Sequence, residues 1–265
     1  MPERSPEVKP AKAPAALAKK PVKPRKSPFT DVPWRIRDIF LFAGLWIGSQ
    51  VAIAVVAKLL APVWPGLDQL LSVAGDGSNM VASLVGSLLS FVIGFGVFWG
   101  MLRRAGRSWS ALGWRRVNWL KAIGMVALIL VMFLGLVIAA FALVSWLVPG
   151  FNANQAQTNE FTNPTTGTDR QIAFVALVLL PPILEETIFR GLVFPAIAKR
   201  AGIIWGAVVS SALFALLHGQ ANIGVYTFIL GLVLCTMYVK FRSIIPGILL
   251  HMVNNYLAFL ALGAK

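Results

Sequence analysis

PPILEETIFRGL, residues 181–192, sets two adjacent carboxylates, Glu185 and Glu186, inside a run of apolar residues. Paired acids are ordinary on a wet surface. In hydrocarbon an ionisable group at the bilayer centre costs about 2.5–3.5 kcal/mol on insertion scales. The surroundings decide which case applies. The chain of 265 residues is 57% hydrophobic and 13% charged, with a mean hydropathy of +0.75, whereas a soluble domain carries about 25% charged residues. The stretch therefore lies in a membrane protein, and the fold class is an all-α polytopic bundle.

Working outward at roughly 20 apolar residues per crossing, the sequence predicts seven spans, at 39–61, 80–102, 122–148, 171–198, 203–219, 223–240 and 244–262. Residues 1–30 hold eight basic and two acidic side chains among Pro, Lys and Ala, with no apolar run. They read as a disordered basic tail, not a signal peptide, serving as a contact for anionic lipid or as a solvated tether. Residues 31–170 form the N-terminal helices and 171–265 the part that carries the chemistry. The loop 103–121 adds six basic residues and no acid, and Lys199, Arg200, Lys240 and Arg242 complete the basic set. If the seven spans alternate, all these segments fall on one side, which the positive-inside rule assigns to the cytoplasm together with the N-terminus. The net charge of +14 is thus explained by the inner leaflet, and no nucleic-acid partner is expected. Trp34, Trp64, Trp99 and Trp146 lie near span ends as interfacial anchors would, and Trp109, Trp114 and Trp119, five residues apart, read as interfacial contacts. The single cysteine, Cys235, excludes an intramolecular disulfide.

Of ten acids, Glu3, Glu7, Asp31, Asp38, Asp68, Asp76, Glu160 and Asp169 fall in the tail, span ends or loops, leaving Glu185 and Glu186 in the membrane. The two histidines, His218 and His251, are also in spans. Glu186 and Arg190 stand at i and i+4 and can pair, offsetting part of the insertion cost. Glu185 points about 100° away and has no such neighbour, so it is free to face a cavity as a general base or acid. Phe214 and His218 share a face, as do His251 and Asn255. Pro181 and Pro182 lack amide protons, so a kink is expected that leaves the carbonyls near Leu177 and Val178 short of partners. Interhelical glue would also use His, Asn and Glu, at about 1–2 kcal/mol or less per contact, yet it seldom needs two adjacent glutamates and both histidines. One difficulty stands. At about 1.5 Å per residue, His251 lies roughly 13 Å beyond Arg242 but His218 roughly 27 Å beyond Arg200. For one site, either the fifth span begins outside the hydrocarbon or the seventh begins late.

EETIFRG at 185–191, FALLH at 214–218, FILG at 228–231 and HMVNN at 251–255 resemble, in order, the EExxxR, FxxxH, FxxG and HxxxN motifs of the CPBP (CAAX protease and bacteriocin-processing, or Abi) family of intramembrane endopeptidases. The resemblance covers about residues 181–257. It implies a catalytic core in the last four helices of a multi-pass protein, expected in a bacterial inner membrane, that hydrolyses a peptide bond in a membrane-associated protein or peptide. Glu185 would activate water, with His218 holding that water or a metal ion. Glu186 would pair with Arg190, and His251 and Asn255, in preference to Asn254, would stabilise the oxyanion. A zinc ion held by Glu185, His218 and His251, and a metal-free glutamate mechanism, are both compatible with the family. A prenylated substrate is less expected, since members without one share these motifs. The alternatives are a non-catalytic immunity factor or scaffold and a proton or cation carrier. The retained Glu185, His218, His251 and Asn255 favour the enzyme.

Overall fold

The computed structural model describes residues 29, 31–64, 80–152 and 166–262. Every regular element among them is helical: α1 (Ile36–Leu60), α2 (Met80–Ala105), a single 3-10 turn (Trp109–Leu112), α3 (Trp119–Leu147), α4 (Gly167–Phe174), α5 (Leu180–Ile188), α6 (Phe194–Leu216), α7 (Ala221–Phe241) and α8 (Ile245–Leu262). Turns of π-helix at Val175–Leu179 and Phe189–Val193 join α4 to α5 and α5 to α6. The all-α, multi-pass reading holds. Of the basic tail 1–30 only Phe29 is described, and Glu3, Glu7, Asp68, Asp76 and Glu160 lie outside the described residues.

The expected count of seven spans is not confirmed. Among the described residues five helical stretches are long and apolar enough to cross a bilayer: Ile36–Leu60, Leu84–Ala105, Trp119–Leu147, Gly167–Leu216 and Ala221–Phe241, with Ile245–Ala261 apolar but shorter. One part of the difference is the shortness of Ile245–Ala261, and the other arises at Gly202. The helical run from Gly167 to Leu216 is broken there by a left-handed residue, φ 85° and ψ 167°, a conformation glycine adopts without a Cβ penalty. The chain doubles back at this point. A Cβ built on Gly206 would lie 2.7 Å from that of Ala198, the Ser210 hydroxyl donates to the Phe189 carbonyl at 3.3 Å, and the Phe189 and Phe214 rings are 5.0 Å apart. In a straight helix residues 189 and 214 would be separated by about 37 Å. The predicted spans 171–198 and 203–219 are thus two legs of a hairpin, and the second, from 203 to 216, is only about 21 Å long, short of the roughly 30 Å hydrocarbon thickness.

Gly206→Ala tests this packing. The added methyl meets the Ala198 backbone as well as its side chain, at 2.8 and 2.9 Å, so the legs must part. Overpacking of this kind costs about 1–3 kcal/mol, to be read as a lowered melting temperature in detergent.

At the other end of the bundle, named contacts bring the four basic segments together. Lys199 Nζ donates to the Val32 carbonyl at 2.8 Å, Trp34 Nε1 to that of Ala111 at 2.9 Å, and the Arg242 guanidinium lies 4.5 Å from the Phe29 ring centroid. Phe29, assigned by sequence to the tail, is fully buried against Phe194 and Tyr238. The tryptophans divide. Trp64, Trp99 and Trp146 are exposed on the outside of the bundle, as is Trp119, in keeping with an interfacial position. Trp34 is buried, and Trp109 and Trp114 turn inward onto Phe95 at 5.6 and 6.2 Å. The interfacial reading of these three is corrected, because the loop carrying Trp109 and Trp114 folds into the bundle. There the Leu112 carbonyl comes so close to α6's approach that a Cβ on Gly191 would sit 2.6 Å from it.

Candidate functional site

Adjacent positions in α5 send the two glutamates different ways. Glu186 is completely buried, and Arg190, one turn on, donates from Nη1 to its Oε1 at 2.8 Å. Arg190 Nη2 donates to the Gly231 carbonyl of α7 at 3.2 Å, and the guanidinium stands 4.8 Å from the Phe214 ring centroid. A buried ion pair survives only when geometry and further hydrogen bonds offset the desolvation of both charges. Here a carboxylate, a backbone carbonyl and an aromatic face share that task.

Glu185 is 29% exposed and lines a cavity of about 680 Å³, with His218 on the same wall. Opposite Glu185 stands His251 of α8. Its Nε2 is 3.7 Å from Glu185 Oε2 and its Nδ1 is 3.4 Å from Glu186 Oε1. Neither approach is a hydrogen bond. The buried imidazole thus lies between a cavity-facing carboxylate and an arginine-paired one.

His218 follows the last turn of α6, and its Nδ1 lies 2.8 Å from the Phe214 carbonyl. A carbonyl only accepts, so Nδ1 carries the proton, and in the neutral ring Nε2 is the acceptor. Phe214 is the hub of the arrangement. Its ring meets those of His218 and His251 edge-on at 4.9 and 5.8 Å.

Asn255 shows why the prolines stand where they do. Pro181 has no amide to give the Leu177 carbonyl four residues earlier, and Asn255 Nδ2 donates to that carbonyl instead, at 2.9 Å. Asn254 Nδ2 in turn donates to Asn255 Oδ1 at 3.2 Å, and Tyr226 of α7 donates its hydroxyl to Asn254 Oδ1. The directions are fixed along the whole chain of bonds, so the Asn255 amide is held with its nitrogen toward α4–α5 and one N–H to spare. Asn255→Ala is expected to cost about 1 kcal/mol in unfolding in detergent. Asn255→Asp costs more, since it sets an acceptor against the Leu177 carbonyl.

The two histidines meet despite their unequal distances from the basic segments, since both rings pack on Phe214. Arg242 packs on Phe29 and Phe29 on Phe194. At the start of α8 the Ile244 amide donates to the Gly113 carbonyl at 2.9 Å and the Ser243 hydroxyl to that of Arg115 at 2.8 Å.

All six candidates, Glu185, Glu186, Arg190, His218, His251 and Asn255, converge around Phe214 or the prolines. The sequence assigned nothing to Tyr226 and ranked Asn254 below Asn255. Asn254, placed three residues after His251, is on the side of α8 that meets α7, a contact no local spacing announces. Among the described residues no three His, Cys, Asp or Glu side chains gather closely enough to hold an ion as they stand.

Residues 169–257 match the model of a family described as type II CAAX prenyl endopeptidase Rce1-like. That span contains all six candidates and leaves α1, α2 and α3 outside it. No curated protein and no solved structure matches the chain.

Proposed function

We propose that this multi-pass membrane protein is an intramembrane endopeptidase that works through Glu185, a reading supported by the match of residues 169–257 to the Rce1-like type II CAAX prenyl endopeptidase family, a protease family. The observation that carries the reading is the division of labour between neighbours. Glu186 is sealed against Arg190, while Glu185 opens into the cavity with an imidazole nitrogen 3.7 Å away.

In this reading a water between Glu185 and His218 attacks the scissile carbonyl carbon as Glu185 takes its proton. His218 Nε2 accepts the second hydrogen of that water and aims its lone pair. The carbonyl π electrons move onto oxygen, and the oxyanion receives hydrogen bonds from His251 Nε2 and the spare N–H of Asn255. Collapse of the intermediate breaks the C–N bond, and the proton on Glu185 passes to the leaving amine. The substrate is a membrane-associated protein or peptide. The end of the bundle that gathers the basic segments faces the cytoplasm, where the tail meets anionic lipid. No step is routed through a metal.

The test compares membrane proteomes of cells carrying wild type, Glu185→Ala or His218→Ala at matched expression. A peptide released by wild type and lost in both variants is expected. Identical products in all three overturn the proposal.

A further inference from the structure

The cavity beside Glu185 and His218 is not closed by the matched segment alone. Its far wall is built by Phe42, Ala43 and Trp46 of α1 and by Ser87, Ser90 and Phe91 of α2, all outside residues 169–257. That wall is braced from within. Trp46 Nε1 donates to the Ser90 carbonyl at 3.0 Å, its ring packs on Phe42 at 5.8 Å, and Phe42 packs on Phe98 at 4.3 Å. Beside it Ala43 presents only a methyl group.

The volume limits what can enter. A helix about 10 Å across rising 1.5 Å per residue fills roughly 120 Å³ per residue, so about 680 Å³ holds some six residues. A spanning helix of about 20 residues needs about 2,400 Å³. A short unwound segment matches that volume, and unwinding frees the scissile carbonyl from the helical hydrogen bond that would shield it. Apart from Glu185, His218 and the two serines, the lining is apolar, so the side chains it takes are apolar too.

We propose that α1 and α2 are the specificity wall of the endopeptidase, and that Ala43 and Trp46 set the size of the apolar side chain accepted next to Glu185. The inference rests on the endopeptidase reading for its kinetic arm. The probe is a set of quenched-fluorescent apolar peptides in detergent, varied at one position from Gly to Trp. Ala43→Phe is expected to shift preference toward small side chains and Trp46→Ala toward large ones, each by about tenfold or more in relative kcat/KM, the range set by one or two methylenes in an apolar pocket. Cleavage by wild type with selectivity unchanged in both variants overturns the inference and leaves the protease reading intact.

Cleavage of no peptide by wild type counts against the protease reading, and a binding arm then decides the inference. Cys235 is buried, so Ser87→Cys supplies the accessible thiol on the wall. Protection of that thiol from a maleimide by the apolar peptides, lost in Ala43→Phe for the large ones, supports the wall. No protection by any peptide overturns it.

Discussion

Glu185→Gln abolishes product formation, with turnover falling by about 10²–10⁴-fold, the contribution of a positioned general base, while the melting temperature stays near that of wild type. The second half of the expectation follows from geometry. The Glu185 carboxylate is partly exposed in the cavity, and its nearest ionisable neighbour is the His251 ring at 3.7 Å. An uncharged amide of the same shape leaves no buried charge without a partner. Turnover within a few-fold of wild type would remove Glu185 from the chemistry, whatever the melting curve shows.

Glu186→Ala, one residue on, gives the opposite pattern. Arg190 is buried, and the substitution strands its guanidinium with only the Gly231 carbonyl and the Phe214 face. Breaking a buried pair from one side costs about 3–5 kcal/mol, so the variant is expected to melt far earlier or to fail to accumulate. Replacing both partners separates the lost charge from the lost volume. Glu186→Leu with Arg190→Met is expected to recover most of the stability, because an apolar pair has no desolvation to offset. If the double variant is as unstable as the single one, the pair's role is its shape and hydrogen bonds to α7, not its charge. Two adjacent glutamates thus separate by measurement into one that acts on substrate and one that holds the bundle together.

The candidate site was legible because its residues are exceptions to their surroundings. Charge is so costly in hydrocarbon that Glu185, Glu186, His218 and His251 could be found by subtraction, and the i, i+4 spacing of Glu186 and Arg190 reports a contact within one helix turn. The helices were legible from apolar length alone, to within a few residues for α1, α2, α3, α7 and α8. What stayed hidden depends on neighbours far along the chain. Trp34, Trp109 and Trp114 carry the amphipathic character of interfacial residues, yet Trp34 is buried and the loop of the other two folds inward and half-buries them. The bond from Tyr226 to Asn254 joins α7 to α8, and the wall supplied by α1 and α2 meets residues more than 80 positions further along the chain.

The anchoring of α8 has a consequence for biosynthesis. Its first residues are held by the carbonyls of Gly113 and Arg115, which leave the ribosome long before it, while His251 and Asn255 arrive more than 60 residues after Glu185. In the proposed endopeptidase, a nascent chain that already has both glutamates and His218 in the membrane still lacks the two residues assigned to the oxyanion. On that reading the chain is mute while it is being made, and gains its chemistry only when α8 docks on a seat prepared earlier in translation.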